Sequence, residues 1–108
     1  MIELKTLARG SAFKYVGSIK EGVNLFLGNS GHPIEVLKGD LDSLLKHFSN
    51  KTVPIEATRT KADLQEGSLG YWLNKNVNGP VITSYIASIL VHEGYAEYID
   101  KKLKFITY

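Results

Sequence analysis

The chain predicts an α+β fold in one compact domain: antiparallel β-hairpins over residues 1–38, then a helix-strand-helix-helix-hairpin unit over residues 39–108. Three observations carry that expectation. The first forty residues are short apolar or alternating runs punctuated by Gly and Asn, and at Gly39 the apolar period lengthens to that of a helix. The final stretch, GPVITSYIASILVHEGYAEYIDKKLKFITY, opens as a helix and closes as two short aromatic strands.

In chain order, IELKTLA, AFKYVGSI, VNLFLG and PIEVLK read as strands separated by Arg9-Gly10, Glu21-Gly22 and Gly28-Asn29-Ser30-Gly31. Gly and Asn reach positive φ at little cost, so these are tight turns, and SIKEGVNLFL is the strongest hairpin candidate. GDLDSLLKHFSN offers Asp40 as an N-cap, Leu41, Leu44, Leu45 and Phe48 on one helical face, and Asn50 as a stop. KTVPIEA is extended, with Pro54 confining it to a sheet edge. TRTKADLQEG reads as loop with one helical turn.

SLGYWLNKNV places Ser68 as a cap before Leu69, Trp72, Leu73 and Val77 at helical spacing, with Gly70 as a weak point. Asn78-Gly79-Pro80 then breaks the chain and restarts it, since Pro at a first helical position lacks only a donor that has no use there. The helix expected over 81–92 buries Ile82, Ile86, Ile89 and Leu90, and Gly94 closes it. Residues 95–99 and 103–107 alternate as strands around Asp100-Lys101-Lys102.

Composition excludes several classes of function. There is no cysteine, which removes disulfides, thiolate chemistry, zinc-cysteine sites and iron-sulfur clusters, and points to an intracellular setting. No basic-then-apolar leader opens the chain and no run of about eighteen apolar residues occurs, so a cytoplasmic protein without a membrane partner is expected. The net charge of +2 permits contact with a polyanion without demanding it. Charge is even between the halves, yet Lys101, Lys102 and Lys104 cluster in the last hairpin, against Asp100.

The order from Asp40 onward, carried by SLGYWLNKNVNGPVITSYIASILVHEGY and YAEYIDKKLKFITY, resembles the winged-helix branch of the helix-turn-helix superfamily over the C-terminal two thirds of the chain. That resemblance implies a DNA-binding surface in which the 81–92 helix enters a major groove and the 95–107 hairpin touches the backbone. Mapped onto this chain, the nucleic-acid-binding residues would be Lys75, Asn76 and Asn78 flanking the turn, Thr83, Ser84 and Ser88 exposed on the helix, and Lys101, Lys102 and Lys104 on the hairpin. The helix departs from the pattern in having no Lys or Arg for bidentate guanine readout. A protein partner, or a second copy of the chain meeting an N-terminal or C-terminal strand edge, is therefore the alternative.

Other motifs read as structure. Trp72 shares a stripe with Leu69 and Leu73 and belongs to the core before it belongs to a base-stacking surface. His32, His47 and His92 are too widely spaced to form a metal site. IEVLK and IEATRTK pair an acid with a base but lack the upstream carboxylate of a metal-dependent nuclease. GNSGH lacks the Lys-Ser/Thr and helix of a phosphate loop, and no nucleophile elbow is present. The expectation is a non-enzymatic domain with no cofactor and no metal.

Overall fold

The computed structural model describes residues 2–7, 10–26, 33–55, 67–77 and 82–107. The fold is α+β. Its first part is a four-stranded antiparallel sheet in the order β1-β2-β3-β4, from β1 (Ile2–Lys5), β2 (Ala12–Ser18), β3 (Gly22–Phe26) and β4 (Ile34–Val36). Alternation decides its faces: Phe13, Tyr15, Val23, Leu25 and Val36 are buried, while Lys14 and Val16 on β2 face solvent. The expected hairpin in SIKEGVNLFL is there, with Ser18 opposite Gly22. Gly17 sits at φ +98, and a Cβ built on it would strike the Gly22 carbonyl oxygen, so glycine is required on both counts.

Helix α1 (Lys38–Phe48) buries Leu41, Leu44, Leu45 and Phe48, the predicted stripe. Its start differs from the expectation. The N-cap is Leu37, with no side-chain cap bond, and Asp40 lies within the first turn, where its carboxylate meets the positive end of the helix dipole. Asn50, at φ 61, turns the chain out of the helix as its αL tolerance allows. Strand β5 (Thr52–Pro54) follows at a sheet edge, the place Pro54 dictates. Residues 58–66 of TRTKADLQEG, and with them the expected helical turn, lie outside the described residues.

Helix α2 (Leu69–Asn76) begins as the sequence indicates: Ser68 Oγ accepts the Tyr71 N–H at 3.1 Å. The Asn78-Gly79-Pro80 break lies outside the described residues. Helix α3 (Thr83–His92) begins two residues later than expected, with Ile82 as its N-cap. It ends in a Schellman arrangement about Gly94, at φ +85: Tyr95 N–H donates to the Leu90 carbonyl at 2.9 Å and Gly94 N–H to that of Val91 at 3.2 Å.

Strands β6 (Ala96–Ile99) and β7 (Lys102–Phe105) form a ribbon that joins β5 in a three-stranded antiparallel sheet of order β5-β7-β6. The connection is a two-residue turn, Asp100-Lys101, with φ of 47 and 65. Lys102 is therefore a strand residue opposite Ile99, not a third turn residue as the sequence suggested.

One hydrophobic cluster joins both parts. Phe13, Tyr15 and Leu25 of the first sheet, Leu44 and Phe48 of α1, Leu69 and Leu73 of α2, Ile86, Ile89 and Leu90 of α3, and Leu103 and Phe105 of β7 all belong to it. Burial of each large aliphatic side chain is worth about 1.5–3 kcal/mol, so neither sheet is separable from α3 without large loss.

Candidate nucleic-acid interface

The surface in question consists of the β6-β7 ribbon and α3, with the end of α2 beside the break. On β7 the alternation is complete: Leu103 and Phe105 are buried, whereas Lys102 and Lys104 are exposed on the other face, and Lys101 is exposed in the turn. Register places Thr52, Lys104 and Glu97 in one cross-strand row and Pro54, Lys102 and Ile99 in the next. Three lysines stand against Glu97 and Asp100 over residues 96–105, so the ribbon carries a small positive excess rather than a strong basic patch.

Lys101 is the unusual position. A two-residue turn with positive φ at both central residues favours Asn or Asp first and Gly second. Asp100 satisfies the first preference, whereas Lys101 occupies the glycine position at φ 65 and carries the cost of crowding its Cβ against the backbone there.

Lys75 and Asn76 are both exposed at the end of α2. The Lys75 ammonium lies 5.8 Å from the centroid of the Tyr71 ring, and Asn76 Nδ2 donates to the Trp72 carbonyl at 2.9 Å. Trp72 is half-buried, with edge-on packing to Phe48 at 6.3 Å and a tilted approach to His47 at 6.1 Å, and it rests on the core as its stripe implied. Asn78 lies outside the described residues.

Helix α3 requires a correction. Thr83 and Ser88, expected on an exposed face, are 3% and 5% exposed. Ser84 is half-buried, and among the described residues of the helix only His92 is exposed. The physical reason is the N-terminal sheet, which packs on the side that the resemblance would leave free. Phe13 meets the Tyr85 ring edge-on at 5.1 Å, and the Ser88 hydroxyl donates to the Lys5 carbonyl at 2.6 Å. At the helix end, Glu93 accepts the Tyr15 hydroxyl through Oε2 at 2.8 Å and the Ile19 N–H through Oε1 at 3.0 Å.

Tyr15 and Glu93 are the polar pair that sequence reasoning missed. Burial first, then the hydrogen bond to Glu93 and the charge of its carboxylate, push the Tyr15 hydroxyl well above its ordinary pKa near 10. A signal existed: a carboxylate at a helix C-terminus opposes the dipole, so Glu93 required compensating donors from elsewhere in the fold.

No group of three or more His, Asp or Glu side chains that could hold a metal ion occurs among the described residues, and no helix among them is long and apolar enough to cross a membrane. Comparison with protein-family models, with curated proteins and with solved structures gives no match.

Proposed function

We propose that the chain is a non-enzymatic nucleic-acid-binding domain that meets duplex DNA at its phosphates through the β6-β7 ribbon. The observation that carries this reading is Lys101, an exposed lysine at a position whose backbone favours glycine, with Lys102 and Lys104 exposed on the adjoining strand. The winged-helix resemblance of the helix-helix-ribbon order supports the same surface. Base reading by α3 is not part of the proposal, because Thr83 and Ser88 are buried. Phosphate contacts position a protein without specifying sequence, so the expected binding is weak, salt-sensitive and indifferent to base order.

Titration with a fluorescent duplex tests the reading. With about three lysines engaged, a fourfold rise in salt weakens binding by about 40-fold. Replacing Lys101, Lys102 and Lys104 by Glu removes binding while leaving the circular dichroism spectrum unchanged. Binding that survives the triple replacement excludes the ribbon.

A second reading has its own support. Tyr98, Ile99 and Ile106 are 37%, 45% and 45% exposed on or beside the same ribbon, and β6 is the outer strand of its sheet. Exposed apolar side chains along an open edge suit an added strand from a protein partner. Replacing Tyr98 and Ile99 by Ser distinguishes the two: it abolishes capture of a protein partner and leaves the salt-dependent DNA titration in place.

A further inference from the structure

We infer that β1 is the interface of a symmetric homodimer, in which it pairs antiparallel with β1 of a second copy and joins the two four-stranded sheets into one. β1 is the outer strand of its sheet, and Ile2, Glu3 and Lys5 on it are exposed. Thr6 N–H donates across to the Ser11 carbonyl at 3.0 Å, so the backbone groups of the even-numbered residues face β2 and those of Glu3 and Lys5 face outward. The Lys5 carbonyl already takes the Ser88 hydroxyl and keeps a second lone pair for a strand laid beside it.

The sequence of this edge is complementary to itself. With Leu4 on the two-fold axis, Glu3 of each copy stands opposite Lys5 of the other, and the outward groups of these two residues form the hydrogen-bonded pairs. On the solvent face, Glu3 is already in register with Lys14 of its own chain, so it comes to lie between two lysines, Lys14 and Lys5 of the second copy. On the opposite face Leu4 meets Leu4, and Ile2, 40% exposed in one copy, gains cover from the other.

The other edges are poorer candidates for self-pairing. β5 contains Pro54, which interrupts a ladder, and β4 is only three residues long. In the ribbon, Ile106 N–H donates to the Tyr95 carbonyl, so Ala96 and Tyr98 face outward, and pairing those groups with each other sets Glu97 against Glu97. Opposite charges favour the β1 pairing and like charges oppose the β6 one. This dimer is independent of the ribbon and of whatever the ribbon binds.

The full chain, studied by sedimentation across micromolar to millimolar concentration, is expected to show a reversible monomer-dimer equilibrium. Glu3→Lys or Lys5→Glu alone sets like charges opposite each other twice and raises the dissociation constant at least about tenfold, and the combined exchange restores dimerisation. Leu4→Cys, in a chain with no other cysteine, forms a covalent dimer on mild oxidation, since the two Cα atoms then lie about 4.5 Å apart in a non-hydrogen-bonded pair. Circular dichroism verifies that every variant is folded. A wild-type chain that stays monomeric throughout overturns the inference. So does a dimer that ignores the charge exchanges and fails to cross-link at position 4.

Discussion

The Tyr15 hydroxyl donates a 2.8 Å hydrogen bond to Glu93, 78 residues along the chain, and so ties the centre of the N-terminal sheet to the end of α3. The same carboxylate takes the Ile19 N–H through its other oxygen. Both partners come from the hairpin that packs over the helix, so the bond forms only when sheet and helix are docked.

Removing either side of this link is therefore expected to weaken the whole fold. Tyr15→Phe deletes one bond to a half-buried carboxylate and costs about 1–2 kcal/mol. Glu93→Ala also leaves the buried Tyr15 hydroxyl and the Ile19 N–H without their acceptor, and costs about 2–3 kcal/mol. Urea unfolding of the two variants and of their combination is expected to show strong coupling, with the double variant well short of the sum.

Alkaline titration reads the same pair in another way. The folded-state pKa of Tyr15 is raised, so the folded protein holds a proton that the unfolded chain releases above about pH 10. The contribution is complete below that pH and declines as pH rises further, with a slope from this one group of at most about 1.4 kcal/mol per pH unit. Stability measured by denaturant between pH 9 and 12 is expected to fall less steeply in Tyr15→Phe than in the wild type.

At Gly17 the expectation is a loss greater than about 2 kcal/mol on replacement by Ala, because the new Cβ meets the Gly22 carbonyl in a backbone region unfavourable to L-residues. Gly67 has a similar φ of +94, but nothing lies within 4 Å of its added Cβ, so Gly67→Ala pays the conformational cost alone. Thermal unfolding of the two variants separates steric conflict from φ preference.

Lys101→Gly is expected to do two opposite things. It relieves the positive-φ position of the ribbon turn and stabilises the protein by up to about 1 kcal/mol. It also removes one phosphate contact, so the slope of log affinity against log salt for duplex DNA falls by about 1. A stabilised variant with an unchanged salt slope shows that Lys101 makes no such contact.

Much of the fold was legible locally. Ser68 before Leu69, Gly94 after the Ile86-Ile89-Leu90 stripe, Pro54 in an edge strand and the Gly-bounded hairpin of β2 and β3 each act through a neighbour a few residues away, and each is found where local chemistry puts it. The start of α1 is not legible in the same way: Asp40 resembles a cap, while the helix begins at Lys38 with no side-chain cap at all. The candidate site was less legible. The exposure of Lys101, Lys102 and Lys104 followed from strand alternation, but Thr83 and Ser88 resemble surface residues by polarity alone.

The order of elements, the capped start of α2, the ends of α1 and α3 and the alternating lysines of the ribbon were determined by the sequence itself, because caps, turns and apolar periods act over a few residues. Which side of α3 meets solvent was decided only by the tertiary structure. A helix with apolar or small side chains nearly all round can be buried on any side, and the choice fell to contacts made across the whole chain: Phe13 against Tyr85, Ser88 to Lys5, and Tyr15 to Glu93.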